Sequence, residues 1–347
     1  MKFRRVGDSS IICSVLGFGT WEMGATQYGA IDLHEAVAAV HFALDHGITL
    51  IDTAESYGPW HAEAVLGKAL GARRKDVVLV TKVGLVFDEK GKLLGLDASR
   101  DRILSATERC LNRLGTDWLD LLLIHWPDHK TPPEETIGAL EDLRRAGKIR
   151  EYGVSNYTVE MIEQCERFGH LAANQIGYHM FDRRVESRLL PYCAGHHIGF
   201  MTYGTLGFGL LAGAFTPETI FPANDWRSRG EAFGLPLFER EHFLRCLRVV
   251  DRLKRLAQRY GKTVAQLAIA WVLSNPSVSV ALVGARKPSE VEENMAAADW
   301  ALDDNIRSEI DRIFVEEKAP TYRDAEPITV PPPLRATSLK GGDSPTR

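Results

Sequence analysis

Cysteine is scarce: the chain has 5 in 347 residues, at Cys13, Cys110, Cys165, Cys193 and Cys246, with no C-x-x-C pair. This excludes a disulfide scaffold and a thiolate metal cluster, and the expectation is reduced, packed thiols in a cytoplasmic protein. Apolar runs long enough to cross a bilayer are missing, so no membrane partner is expected. The basic start Met1-Lys2-Phe3-Arg4-Arg5 is followed by no apolar run of the length a signal peptide needs. An excess of one charge is missing too. The 42 basic and 46 acidic residues leave a net −4, which offers nothing to nucleic acid or to an anionic surface. The hydrophobic share is 45% and the charged share 25%, a balance that excludes disordered and collagen-like chains.

What is present is a rhythm. Short, nearly continuous apolar runs occur at Ser14–Gly19, Thr49–Asp52, Val77–Lys82, Leu119–His125, Ile149–Val154, Ala173–Ile176, Ile198–Tyr203 and Ser279–Val283. They have the character of strands buried on both faces of a parallel sheet. Helical patterns separate them, at Asp32–His46, Ala62–Leu70, Arg100–Leu114, Pro133–Ala146, Val159–Phe168, Val185–His196, Arg245–Tyr260, Val264–Leu273, Ser289–Ala297 and Asp304–Phe314. Several close on glycine, and Pro133 opens one, the usual polarity of helix ends. Eight alternations predict an α/β fold, a (β/α)8 barrel. Phe3–Val6 and Ile11–Cys13 read as an N-terminal hairpin that plugs the bottom of the barrel. The expected organisation is a single barrel domain over 1–318, with an extra C-terminal helix. An extended, proline-rich tail over 319–347 follows, carrying 6 of the 16 prolines. The stretch Gly204–Glu239 has little helical period, and loops this long inside a domain are usually functional.

Several motifs fall short. Gly17-Phe18-Gly19 is not a dinucleotide fingerprint, because Glu22 stands where its third glycine belongs. Gly261-Lys262-Thr263 lacks the first glycine of a phosphate loop, with Leu256 in its place, and His34-Glu35 lacks a second histidine at Ala38. Cys193, His196 and His197 lack the second thiol of a metal site, so no metal is expected. No G-x-S-x-G is present.

Barrel active sites lie at the C-terminal ends of the strands. The polar residues there are Asp52, Lys82, His125, Ser155, Asn156, Gln175, Tyr203 and Arg286, with Tyr57 just beyond the second strand. A tyrosine hydroxyl can protonate a carbonyl oxygen that is becoming an alkoxide, although its free pKa of about 10 is too high for easy transfer. A neighbouring lysine cation stabilises the phenolate, and a carboxylate holds that cation in place. A histidine can polarise the same oxygen. A site with an acid, a polariser and no nucleophile suits a hydride brought by a cofactor.

These residues, in this order, resemble the aldo-keto reductases over roughly residues 10–315. The resemblance rests on Asp52-Thr53-Ala54 with Tyr57-Gly58, on Thr81-Lys82, on Leu123-Ile124-His125-Trp126-Pro127 and on Gly147-Lys148-Ile149-Arg150 leading to Gly153-Val154-Ser155-Asn156. It continues through Asn174-Gln175 and Gly284-Ala285-Arg286 to Glu293-Asn294. It implies a catalytic tetrad of Asp52, Tyr57, Lys82 and His125, with Tyr57 as general acid. It also implies an NADP(H) site without a dinucleotide fold. Gly19, Thr20 and Trp21 would approach the nicotinamide ribose, beside Asp52. Ser155, Asn156 and Gln175 would hold the carboxamide, and Tyr203 would stack on the ring. Gly204, Thr205, Leu206 and Gly209 would follow the pyrophosphate, and Gly284, Arg286, Ser289, Glu293 and Asn294 the adenosine end. Trp21, Trp60, Phe87 and Trp126 are candidates for the substrate pocket.

Two departures stand out. Many members carry a glutamate where this chain has Gly177. Glu290 stands where an arginine or glutamine often meets the adenosine 2′-phosphate, while Arg286 and Lys287 favour that phosphate. NADPH is the expected cofactor, with NAD(H) kept open by Glu290. The expected activity is NADPH-dependent reduction of small or sugar-like carbonyl compounds, as in bacterial members acting on glyceraldehyde and other short aldehydes. The alternatives are an NAD-linked sugar or polyol dehydrogenase and, from another class, an NADPH-binding regulatory subunit like the potassium-channel β subunits.

Overall fold

A computed structural model describes residues 1–24 and 31–338, with side chains described through 335. The chain opens with strands β1 (Phe3–Arg5) and β2 (Ile12–Ser14), then alternates β3 (Leu16–Gly19), α1 (Leu33–Asp45), β4 (Leu50–Asp52), α2 (His61–Leu70) and β5 (Val78–Val83). A short hairpin of β6 (Leu85–Phe87) and β7 (Leu93–Leu96) leads into α3 (Arg100–Leu114), β8 (Leu119–Ile124), α4 (Pro133–Arg145) and β9 (Ile149–Ser155). Next come α5 (Val159–Glu166), β10 (Ala173–Gly177), α6 (Leu189–Gly195), β11 (Gly199–Tyr203), α7 (Arg240–Gln258), α8 (Val264–Leu273), β12 (Val278–Gly284), α9 (Pro288–Met295), α10 (Asp304–Glu316) and α11 (Pro332–Ser338).

Strands β3, β4, β5, β8, β9, β10, β11 and β12 form a closed parallel barrel, with Gly284 of β12 paired to Gly19 of β3. These are the eight apolar runs read from the sequence, each within a residue or two of its expected end. Most of the helices bury one stripe. In α3 the stripe is Ile103, Ala106, Thr107, Cys110, Leu111 and Leu114, the three-and-four spacing of a helix face. All ten residues of α8 are buried, and its start carries a reciprocal cap between Thr263 and Gln266.

The barrel interior has its own apolar cluster, in which Val6, Ile11 and Cys13 meet Leu50, Val80, Leu121, Leu123, Ala173, Met201, Val280 and Leu282. The β1–β2 hairpin therefore closes the floor, and Arg4 fastens it through the carbonyls of Leu273 and Val278.

Three elements differ from the sequence reading. The β6–β7 hairpin was not expected; its turn is closed by Asp88, whose carboxylate accepts from the backbone N–H groups of Lys90 and Lys92. The helix expected over Val185–His196 begins only at Leu189, because Arg183 and Arg184 tie the preceding turns to Asp311 and Asp182. The tail is not extended throughout. A helix starts at Pro332, where Pro332 and Pro333 occupy the first turn and need donate no hydrogen bond. Residues 339–347 lie outside the described residues.

Ile11 is 1% exposed, so Ile11→Ala leaves a cavity in the floor. The expected loss is about 2–5 kcal/mol, read as a lower urea midpoint at unchanged slope. A loss under ~1 kcal/mol means that the hairpin is not packed as a floor.

Candidate active site

Side chains alternate along a strand, and this alternation builds the site. The inward floor residues Leu50, Val80, Leu123, Ala173, Met201 and Leu282 are followed two positions later by Asp52, Lys82, His125, Gln175, Tyr203 and Gly284. The same inward row thus changes from apolar to polar toward the mouth. Tyr57 comes from the loop after β4. That loop turns at Gly58, whose φ is +61° and where a Cβ would stand 1.9 Å from the Gly24 carbonyl oxygen. Only glycine permits this crossing.

Lys82 is fully buried and its three N–H bonds have three acceptors: Asp52 Oδ1 at 2.5 Å, Thr53 O at 2.9 Å and Tyr57 Oη at 3.0 Å. Because the phenol oxygen accepts from Lys82, its own proton is turned away from the lysine. Asp52 also accepts from Gln175 Nε2 at 2.7 Å, and its backbone carbonyl accepts from both the N–H and the hydroxyl of Thr20. Burial holds Asp52 above the usual carboxylate range and Lys82 below the usual ammonium range, while their mutual attraction opposes both shifts. Burial, helped by the Lys82 cation, holds His125 well below the ordinary histidine value. Its imidazole is therefore neutral at neutral pH, with Ser56 Oγ 3.4 Å from Nδ1.

Asn156, in the left-handed region, donates to His125 O and Ser155 Oγ and accepts from Tyr203 Oη at 2.7 Å. Ser155 in turn donates to Gln175 O. One hydrogen-bonded chain thus runs from Tyr203 through Asn156 to Ser155 and Gln175, and on to Asp52. Gly177 lies beside Tyr203, where a Cβ would make an ordinary contact with the ring at 3.4 Å.

A cavity of about 1300 Å³ opens over these residues, larger than the ~300–1,000 Å³ of a drug-sized pocket. Its wall includes Gly19, Thr20, Trp21, Asp52, Tyr57, His125, Ser155, Asn156, Gln175, Tyr203, Gly204, Thr205, Leu206 and Gly209. It continues past Gly284 to Arg286, Ser289, Glu293 and Asn294 at the start of α9. Phe87 and Trp126 also line it. Trp60 does not; it packs edge-to-face against Phe87. Lys82 lies beneath the wall. The Thr205 hydroxyl is spent on the Leu282 carbonyl.

Other residues complete the wall; of these, Trp226, Arg227 and Arg229 belong to a segment whose sequence suggested a loop folding over the cofactor, whereas Glu22, Phe208 and Phe233 were not singled out as site residues. Glu22 lies across Gly284 near Arg286, and burial raises its pKa. Arg227 is gripped by Asp225 through Nε at 2.9 Å and Nη2 at 2.6 Å. Phe208 and Phe233 come from the long loop. At the far end, Glu290 accepts from the Arg286 backbone N–H at 2.8 Å and sits 3.4 Å from its guanidinium. Among the described residues no cluster fits a metal ion, and no helix is long and apolar enough to cross a membrane.

A closed parallel barrel with such a cluster at its strand ends is the frame of a barrel enzyme. The model of the Aldo/keto reductase family matches residues 15–314. The chain is 38% identical to the aldo-keto reductase YhdN of Bacillus subtilis, over 90% of this chain and 94% of that protein. It is 33% identical to the NADH-specific methylglyoxal reductase of Escherichia coli, over 88% and 95%. To a probable voltage-gated potassium channel subunit beta of Arabidopsis thaliana it is 35% identical, over 86% and 92%. Among solved structures, the glycerol dehydrogenase AKR11B4 of Gluconobacter oxydans superposes with a TM-score of 0.82 at 36% identity, covering 91% of this chain and 95% of that one. An aldo-keto reductase of Klebsiella pneumoniae in complex with NADPH gives 0.72 at 32%, covering 95% and 100%. The chain belongs to the aldo/keto reductase family and is an oxidoreductase.

His179, on the loop after β10, is fully buried, and its Nδ1 accepts from the Phe181 N–H. Burial lowers its pKa to about 4. Between pH ~6.5 and about 4 the unfolded chain takes up a proton that the folded chain refuses, so stability falls as pH falls. His179→Asn keeps an acceptor for Phe181. It should abolish a pH-dependent loss of about 2 kcal/mol, measured by urea unfolding at pH 7 and pH 4.5. An identical pH slope in variant and parent refutes this assignment.

Proposed function

We propose that this protein reduces small aldehydes and ketones to alcohols with NADPH in the cytoplasm. The observation that carries the reading is the Asp52–Lys82–Tyr57 chain, which ends in a phenol whose proton is turned away from the lysine and whose ring borders the cavity. Tyr57 gives its proton to the carbonyl oxygen. Lys82 stabilises the phenolate left behind, and Asp52 keeps Lys82 charged and aimed. His125, neutral, donates a hydrogen bond to the same oxygen. The nicotinamide, when bound, supplies the hydride.

The residues fit such a cofactor. The cavity has room for a dinucleotide and a small carbonyl compound, and the Asn156–Ser155–Gln175 chain sets amide groups on its wall. Trp21, Phe87 and Trp126 add an apolar part to the wall, which suits a small substrate. The buried, unbridged cysteines agree with a reducing compartment.

A second reading is an NAD-linked sugar or polyol dehydrogenase. The hold of Glu290 on Arg286 favours it, since a carboxylate there opposes a 2′-phosphate. The glycerol dehydrogenase and the NADH-specific relative are in keeping with it.

Oxidation of NADPH and of NADH is followed in parallel with glyceraldehyde, methylglyoxal and 4-nitrobenzaldehyde. Tyr57→Phe should lower kcat about 10²–10⁴-fold while NADPH binding, read by protein fluorescence, is kept. Turnover that survives in Tyr57→Phe refutes the role of Tyr57. Tight NADPH binding without turnover on any aldehyde makes the protein a binding subunit, the role suggested by the channel-subunit relative. Glu290→Gln should shift the NADPH-to-NADH ratio of kcat/KM toward NADPH by about tenfold, the equivalent of 1.4 kcal/mol. An unchanged ratio leaves Glu290 without a part in cofactor choice.

A further inference from the structure

The long loop between β11 and α7 lines much of the cavity, and one of its residues, Phe233, sits on a strained turn. Ala232 and Leu235 exchange two backbone hydrogen bonds, of 2.7 and 3.0 Å, and enclose a two-residue turn of Phe233 and Gly234. Both central residues have positive φ, +50° and +84°. Such turns are ordinarily made by Asn, Asp or Gly, because a bulky side chain is strained there. A phenylalanine held in this conformation is an outlier of the kind that marks functional sites.

Its ring shows what it is held for. Phe233 lies parallel to Trp126 at 6.4 Å and to Phe208 at 5.0 Å, and tilts against Tyr203 at 5.2 Å. It also meets the edges of Trp21 at 6.1 Å and Trp226 at 6.1 Å. Trp21 stacks on Tyr57, and Trp126 follows His125 in the chain. The Phe233 ring therefore bridges the two walls that flank the proposed acid and the proposed polariser. The turn is braced from behind. Arg184 grips Asp182 with Nε at 2.8 Å and Nη2 at 2.7 Å, and Nη2 also donates to the Phe233 carbonyl at 3.1 Å. Arg184 is only 7% exposed, so this brace belongs to the interior.

We propose that Phe233 is the residue that sets the upper size of the carbonyl substrate, its ring roofing the mouth between Trp21 and Trp126, with Arg184 as its positioning residue. This rests on the reductase reading above. A short-chain or single-ring aldehyde fits under the ring; a larger, fused bicyclic aldehyde meets it.

The test measures kcat/KM with NADPH for propanal, benzaldehyde and 2-naphthaldehyde. Phe233→Asn removes the ring and suits the left-handed backbone, so the turn is kept; Phe233→Ala removes the ring alone; Phe233→Tyr keeps the bulk. The 2-naphthaldehyde-to-propanal ratio should rise at least tenfold in the Asn and Ala variants and stay within threefold in the Tyr variant. Arg184→Met, which frees the turn, should raise the ratio in the same direction. An unchanged ratio in both ring-deleted variants, with the parent active, overturns the role of Phe233 and leaves the reductase reading standing. Absence of turnover by the parent on all three aldehydes with either cofactor overturns the reductase reading, and this inference with it.

Discussion

The buried ion pair of Asp52 and Lys82 is the constraint around which the barrel mouth is arranged. Taking two charges out of water costs several kcal/mol per ion, and a pair of this kind is weak support for stability. It persists because the remaining valences are filled. Thr53 and Tyr57 complete the lysine, and Gln175 completes the carboxylate. Thr53 and Tyr57 come from the segment after β4 and Gln175 from β10, so closing the sheet and seating the Tyr57 loop at Gly58 are conditions for burying the charges. What they leave at the cavity wall is a phenol oriented by its neighbours before any ligand arrives.

Charges farther along the cavity are compensated in the same manner. Arg227 is already paired with Asp225 and Arg286 with Glu290, while Glu22 adds a carboxylate over Gly284. A phosphate-bearing ligand therefore competes with internal partners for these guanidinium groups. Its affinity reflects the difference between two pairings and not the full attraction of a bare cation.

Most of this frame was legible in the sequence, for a physical reason. A strand buried on both faces must be apolar nearly throughout, so Asp52, Lys82, His125 and Gln175 stood out where such runs end. The order of motifs then carried the family. What was not legible depends on contacts between distant segments. Phe233 occupies a turn whose local preference is for Asn or Gly, so no local signal announces it. Glu22 looks like any solvated glutamate until Gly284 is placed beneath it. Trp60, whose backbone is left-handed at φ +71° before α2, sits next to a wall residue in sequence without joining the wall. The tail helix was masked by its own prolines, which suit the first turn of a helix as well as an extended strand.

The hairpin beneath the barrel has a consequence for traffic. With Val6, Ile11 and Cys13 sealing one end, the barrel is a vessel and not a conduit. Whatever enters must expel solvent through the opening by which it came. Filling is then a counter-current exchange, and the narrowest part of that single neck governs both arrival and departure.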